Sequence, residues 1–359
     1  MTRTPIHRSR TARALPVALL AALTLVVGSA PATAAPQAGS ETLTPLCSPA
    51  PPVQHPGCGT AHRGAPLPSG TPNEVVRLAG ADRFATAVAV AEHGFPEADV
   101  AVLVSGADRH LVDALSAGPL ARSLAAPVLL ATRDEVPAAT AAYLREHAVR
   151  SVLLVGGEDA LSTSTPDRLR ALGIGDVQRI AGADRYATSR AVAAFMPTAT
   201  HAWAASGEDA HLVDALAAAG PAARLGEALV LVDDADPVPA GAALRARGAT
   251  STTVVGGPEG VLPEALATLP TPHRAEGADR FGTAAAVAVE SLQRGLPAQD
   301  LLLAPGLSGH LVDALAAGPL GRTTLLVGDD QSARDVVEAW FETYGAGRTT
   351  AVGAVEIAS

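Results

Sequence analysis

Three pairs of side chains with the makings of a proton relay recur along the chain: His110 with Asp113, His211 with Asp214 and His310 with Asp313. Each pair sits in an identical His-Leu-Val-Asp-Ala-Leu block, running from His110 to Leu115, His211 to Leu216 and His310 to Leu315. A histidine near a carboxylate can pass a proton, but hydrolysis also needs a nucleophile held at a fixed place beside them. Ser105, Ser206 and Ser308 recur nearby, yet Ser308 follows Pro305-Gly306-Leu307 out of register with the other two. No catalytic residue is therefore expected. The histidines stand near helix amino-termini, where the dipole disfavours a cation and keeps them neutral at pH 7. Packing or capping is one role open to them, and a hydrogen bond to a sugar or phosphate is the other.

A second block precedes each of these: Gly-Ala-Asp-Arg-aromatic-x-Thr, at Gly80 to Thr86, Gly182 to Thr188 and Gly277 to Thr283. Asp82, Asp184 and Asp279 are placed to cap a helix by accepting backbone N–H bonds, worth roughly 0.5 to 2 kcal/mol each. Asp113, Asp214 and Asp313 precede alanine-rich stretches and are expected to cap as well. Arg83, Arg185 and Arg280 have two roles open to them. They can pair with a carboxylate of a neighbouring repeat, or grip a phosphate or carboxylate ligand through a bidentate fork. Acidic residues follow three apolar strands, at Asp134 with Glu135, at Asp233, Asp234 and Asp236, and at Asp329 with Asp330. The carboxyl ends of parallel strands are where such folds place ligands, so a calcium-bridged site is conceivable, but solvated loop carboxylates are the default. No cofactor fingerprint occurs: neither a G-x-G-x-x-G nor a Walker pattern is present.

These residues must be positioned by a repeat of roughly 100 residues, long enough for each copy to build its own core. In the first copy, strands are expected over 75–78, 100–104, 128–131 and 152–155, and helices over 83–93, from 113, over 138–147 and over 166–172. The second copy gives strands over 178–180, 201–204, 229–232 and 252–255, and the third over 301–304, 324–327 and 349–352. Strands alternating with helices of about ten residues make parallel β/α units. The fold class is α/β, three tandem repeats over 73–172, 173–270 and 271–359, each a small mainly parallel sheet with flanking helices, in a pseudo-threefold ring. The third copy is truncated: Ser359 aligns with Ser162. Gly118-Pro119, Gly220-Pro221 and Gly318-Pro319 should kink or restart the second helix of each copy, since proline lacks the N–H. The second copy holds one extra residue between Asp214 and Pro221.

Residues 1–34 read as a secretory signal peptide: Arg3, Arg8, Arg10 and Arg13 precede an apolar run from Ala14 to Val27, and Ala32-Thr33-Ala34 matches a cleavage site. Removing four arginines and no acids moves the net charge from -10 to -14. Attraction to nucleic acid or anionic lipid is thereby disfavoured. Residues 35–72 form a proline-rich linker that buries too little to offset chain entropy. Its Cys47 and Cys58, the only cysteines, are expected to close a disulfide loop in an exported chain. No second segment could span a bilayer after signal cleavage.

The motifs resemble the cell-wall-binding repeat type 2 proteins of bacterial surfaces. The resemblance rests on Arg77 to Ala87, Ser105-Gly106 with Asp113 to Ala121, Pro127-Val128-Leu129-Leu130 and Val155-Gly156-Gly157, with corresponding stretches from Arg179 and Arg274. It implies three α/β repeats that attach a secreted protein, without covalent bonds, to an anionic secondary cell-wall polymer or peptidoglycan. Members often carry an amidase or protease domain as well, and none is visible beside these repeats. This chain departs from the pattern in three places. The usual Phe gives way to Leu or Val with a preceding histidine, Glu276 stands where Ala79 and Ala181 stand, and Val-Gly-Gly becomes Val352-Gly353-Ala354. The expectation is a non-enzymatic wall-binding protein at the cell surface, with Arg83, Arg185, Arg280, His110, His211 and His310 as ligand contacts. A wall hydrolase or its modifier, and a self-assembling surface-layer subunit, are the alternatives. Neither the polymer nor the oligomeric state follows from the residues.

Overall fold

Continuous apolar runs such as Val128–Ala131 and Leu229–Val232 are buried along their whole length, as strands covered on both faces must be. The computed structural model describes residues 75–306, 311–345, 347–353 and 355. The signal segment, the linker with Cys47 and Cys58, Ser308, His310 and Ala354 lie outside the described residues.

In order, the elements are β1 (Val75–Leu78), α1 (Arg83–Gly94), β2 (Val100–Ser105), α2 (Leu111–Ser123), β3 (Val128–Ala131), α3 (Ala138–Glu146), β4 (Ser151–Val155), α4 (Thr165–Ala171) and β5 (Asp176–Ile180). The second copy continues with α5 (Arg185–Phe195), β6 (His201–Ser206), α6 (Leu212–Leu225), β7 (Leu229–Val232), α7 (Val238–Ala246), β8 (Ser251–Val255), α8 (Pro263–Leu266) and β9 (Pro272–Ala275). The third gives α9 (Arg280–Gln293), β10 (Asp300–Pro305), α10 (Leu311–Ala317), β11 (Thr323–Val327), α11 (Gln331–Tyr344) and β12 (Arg348–Val352).

Three four-stranded sheets result, ordered β3-β2-β4-β5, β7-β6-β8-β9 and β11-β10-β12-β1, and every pairing in them is parallel. Each sheet takes its last strand from the segment that opens the next sequence repeat. Thus β5 pairs with β4, β9 with β8, and β1 closes the third sheet against β12, with Val75 opposite Thr349 and Leu78 opposite Val352. The third sheet is completed from the other end of the repeat region.

The helices that carry the His-Leu-Val-Asp-Ala-Leu block are core on every side, with eleven of the 13 residues of α2 buried. Helices α2, α6 and α10 touch one another, and Leu111, Leu115, Leu212, Leu216, Leu311 and Leu315 converge around a void of about 10 Å³. Beyond the leucines, Gly118, Ala219 and Gly318 meet: a Cβ built on Gly318 would stand 3.3 Å from the Ala219 methyl and 3.5 Å from the Gly118 Cα. The extra residue of the second copy shifts its Gly-Pro step on by one, so Ala219 fills the place of the two glycines. Gly220 then lies against the carbonyl of Arg322, where a Cβ would come within 2.2 Å.

The expected break at the Gly-Pro steps occurs only in the third copy, where α10 ends and a 3-10 turn follows over Gly318–Leu320. Helices α2 and α6 run through Pro119 and Pro221 without interruption. Burial on all sides holds these two helices together against the lost hydrogen bond and the ring clash, about 3 kcal/mol. Around this centre, α5 packs on α2, α9 on α6 and α1 on α10. Each Gly-Ala-Asp-Arg helix therefore rests on the central helix of another repeat.

Candidate functional site

The Gly-Ala-Asp-Arg-aromatic-x-Thr block is a joint whose parts have separate jobs. Asp82, Asp184 and Asp279 occupy N-cap positions in extended backbone and accept from the amides of Ala85, Ala187 and Gly282 at 2.8, 2.6 and 2.8 Å. The hydroxyls of Thr86, Thr188 and Thr283 accept from the amides of Gly80, Gly182 and Gly277 at 3.1, 3.0 and 3.2 Å. The loop closes so tightly that a Cβ on Gly80 would stand 2.5 Å from the Ala85 carbonyl carbon. Only glycine fits there.

The three arginines reach the carboxyl end of the next strand. Arg83 donates to the Gly106 carbonyl at 2.5 Å and the Asp108 carboxylate at 2.6 Å. Arg185 repeats both contacts, with the Gly207 carbonyl at 2.8 Å and the Asp209 carboxylate. Arg280 donates to the Gly306 carbonyl at 2.8 Å, and among the described residues it has no carboxylate in ion-pair reach. The aromatic neighbours Phe84, Tyr186 and Phe281 pack against the same three glycines, Gly106, Gly207 and Gly306.

His110 and His211 take the N-cap positions of α2 and α6, and neither side chain makes a capping bond. The reason is the 3-10 turn before each helix, over Asp108–His110 and Asp209–His211, which extends the helical path upstream. Asp113 and Asp214 consequently fall inside the first turn rather than at its cap. Burial, followed by the charge of Arg109, pushes the His110 imidazole below its ordinary value. His211 packs on Gly260. The hydroxyls of Ser105 and Ser206 accept from the amides of Ala107 and Glu208 at 3.2 Å each, within their own strand-end turns.

Asp113 is 7 % exposed; its main-chain carbonyl accepts from the Ser116 hydroxyl, while its carboxylate makes no hydrogen bond or ion pair among the described residues. Its Oδ2 lies beneath Gly156, 3.0 Å from where a Cβ would stand. Burial pushes the carboxyl up to about 6, opposed by the charge of Arg185 in the next repeat. Asp214 repeats the placement beneath Gly256 and is likewise raised by burial, with His211 and Arg280 opposing. Asp313 lies beneath Gly353. A Val-Gly-Gly loop, an aspartate beneath it and the arginine of the following repeat thus meet at the first two seams.

At the seam between the second and third repeats this arrangement opens a cleft of about 410 Å³. One wall is His211, Asp214 and the Gly257–Gly260 loop, and the other is Glu276 to Arg280 with Thr283. The signal that sequence reasoning missed is Arg274, which holds this wall in shape, and Arg179, its counterpart at the first seam. Arg179 donates to the carbonyls of Gly156, Gly157 and Ser162 at 2.8, 3.1 and 3.1 Å, and Arg274 to those of Gly256, Gly257 and Val261 at 2.7, 2.9 and 2.8 Å. Arg77 makes the matching bond to the Val355 carbonyl at 2.6 Å. Each arginine precedes its Gly-Ala-Asp-Arg block by a fixed spacing, which was visible in the repeats.

The strand-end acids serve locally. Asp233 accepts from the Ala235 amide, Asp234 from Leu262 and Asp330 from Ala333, while Asp134 pairs with Arg133. Among the described residues no three His, Cys, Asp or Glu side chains are grouped to hold a metal ion, and no helix is long and apolar enough to cross a membrane.

The model of the family "Cell wall binding domain 2 (CWB2)" matches residues 77–165, 179–267 and 274–356. The chain is 33% identical over 214 residues to the N-acetylmuramoyl-L-alanine amidase LytC of Bacillus subtilis (strain 168), covering 59% of this chain and 42% of that protein. It is 31% identical over 158 residues to the amidase enhancer of the same organism, covering 44% of this chain and 21% of that one. This chain therefore spans less than half the length of the curated relatives it matches. Among solved structures, Cwp8 from Clostridium difficile superposes with a TM-score of 0.67 at 27% identity, covering 78% of this chain and 49% of that one. Cwp6 from the same organism shares the fold, with a TM-score of 0.69 at 24% identity, over 83% of this chain and 48% of that one. With three successive matches spanning nearly the whole described region, the chain belongs to the cell wall binding domain 2 family.

Proposed function

We propose that this protein is a secreted, non-enzymatic wall anchor that attaches without covalent bonds to an anionic secondary polymer of the cell wall. The seams between repeats are its binding sites, and the three α/β units form a pseudo-threefold ring. The observation that carries this reading is a recurring arrangement: an aspartate beneath a glycine at all three seams, joined at the first two by an arginine of the next repeat. Packing of α1 on α10, α5 on α2 and α9 on α6 supports the ring. A catalytic centre gains nothing from triplication, whereas weak sites do. Three millimolar sites, each about -4 kcal/mol, can gain roughly 10² to 10⁴ in avidity through linkage.

Of the two roles the sequence leaves open to the arginines of the Gly-Ala-Asp-Arg block, pairing engages Arg83 and Arg185, which donate to carbonyls and carboxylates of their own repeats. Arg280 keeps the ligand role. The test is co-sedimentation of residues 35–359 with purified walls before and after mild acid extraction of their secondary polymers. Binding lost with the polymers is expected. Equal binding to stripped peptidoglycan would move the ligand to the glycan and peptide mesh.

A further inference from the structure

The three seams are not alike in charge. At the first, Asp113 lies beneath Gly156, and a Cβ on Gly157 would meet nothing within 4 Å. Ala181 is the counterpart there of Glu276, and Arg185 is paired with Asp209. At the second, Asp214 Oδ2 lies 2.8 Å from the Cβ point of Gly256, and Glu276 Oε2 lies 3.5 Å from that of Gly257. Adjacent Cα atoms are about 3.8 Å apart, so two carboxylates straddle one Gly-Gly step. The second seam also differs at its arginine. The residue in register with Asp108 and Asp209 is Ser308, and the stretch 307–310, Leu-Ser-Gly-His, contains no acid at all. A carboxylate has in effect moved from beside the arginine to the opposite part of the cleft.

The other charges in the cleft are committed elsewhere. Asp279 caps α9 and accepts from the Ser332 hydroxyl. Arg274 approaches Glu276 at 3.8 Å, but its guanidinium is held by three carbonyls, and the Glu276 side chain remains 46% exposed. The Asp214 carboxylate makes no hydrogen bond or ion pair among the described residues, although His211 and Arg280 oppose the rise that burial gives it. A simple polyanion entering here meets Asp214 and Glu276 as well as Arg280, and like charges at close range cost free energy. A ligand with a cationic group as well as an anionic one satisfies both sides.

We propose that the cleft between the second and third repeats takes a polymer unit bearing both an ammonium and an anionic group, the ammonium at Asp214 and Glu276 and the anion on Arg280. This deepens the wall-polymer reading and rests on it. The amine can come from an amino sugar or from an ester-linked amino acid, and the chemistry of recognition is the same: N–H donors to two carboxylates, with a phosphate or carboxylate on the arginine fork.

The experiment titrates residues 35–359 with two probes, a glycerol-phosphate polymer bearing alanyl esters and one bearing glucosamine, each before and after N-acetylation. Acetylation is expected to weaken binding about tenfold on at least one probe, the scale of one charge-assisted contact, and the probe affected identifies the amine source. Glu276→Ala, which installs the residue of the other two copies, should weaken binding of the free amine equally and change nothing for the acetylated form. Glu276→Gln should do the same with the side-chain shape kept. Equal binding of free and acetylated probes overturns the proposal and leaves the polymer reading standing. Binding lost to a chelator and regained with Ca²⁺, whatever the state of the amine, also overturns it. Absence of binding to both probes and to intact walls overturns the proposal and the polymer reading together.

Discussion

The Asp113 carboxylate lies beneath Gly156 in a backbone conformation, φ 116°, that L side chains rarely adopt. The Val-Gly-Gly turn therefore exists in this form because its glycine lets a carboxylate sink under it, and the burial has an energetic signature. Asp113 ionises near 6 in the folded chain against an ordinary 3.8. The folded state thus holds a proton that the unfolded state has released between those values, and stability falls as pH rises through that window. Asp113→Asn should stabilise the protein above pH 6 by up to about 3 kcal/mol and have no such effect below pH 4. Denaturant melts of both proteins across pH 3.5 to 8 check this.

Arg179 spans three carbonyls of the loop before it, and Arg274 does the same one repeat later. Arg179→Ala is expected to destabilise the fold by about 2 to 4 kcal/mol, because part-buried carbonyls lose a charged donor. Arg179→Lys should recover only a part, since an ammonium cannot span three acceptors as the planar fork does. Urea midpoints report both.

His201 is 5% exposed at the start of β6, with its ring nitrogens 2.8 Å from the Ser251 hydroxyl and 3.0 Å from that of Thr253. Burial, then the charges of Arg294 and His273, push it down to about 4, with Glu290 opposing. A histidine depressed on folding binds fewer protons when folded, so its contribution is intact above 6.5 and is lost as pH falls towards 4. His201→Val, the residue of the first copy at Val100, should remove up to about 3 kcal/mol of that acid loss. Thermal unfolding at pH 4.5 and pH 7.5 measures it.

Much of this architecture was legible in the residues. The strand positions and the parallel α/β class followed from apolar runs and turn residues, because strands buried on both faces leave a strong local signal. What was not legible depended on partners far along the chain. Nothing local in Val75–Leu78 says that it pairs with β12 rather than within its own repeat, and nothing in Gly118-Pro119 says that the helix survives its proline. The arginine of the Gly-Ala-Asp-Arg block left two roles open because its carbonyl and carboxylate partners lie more than 20 positions on in sequence. The importance of Glu276 was visible as a departure from Ala79 and Ala181, but its meaning required the glycine loop it faces.

Glu227 is buried between the Trp203 indole, which donates to it at 2.8 Å, and the guanidinium of Arg294 from the third repeat. Burial raises this carboxyl, and Arg294 is the main opposing influence. Arg294→Ala should cost about 3 to 5 kcal/mol by leaving a buried charge without its partner. The double substitution with Glu227→Ala, the counterpart of Ala126 in the first copy, should restore much of the loss. A double-mutant cycle on melting data separates the two.

If the seams hold the wall polymer, filling them should displace it. Gly157 has open space where a Cβ would stand, and Gly257 meets only the Glu276 carboxylate at 3.5 Å, neither in a backbone conformation reserved for glycine. A chain carrying Gly157→Trp and Gly257→Trp should fold with an unchanged melting temperature and lose most of its retention on purified walls. Unchanged retention by the doubly plugged protein would contradict the account and place the polymer elsewhere on the surface.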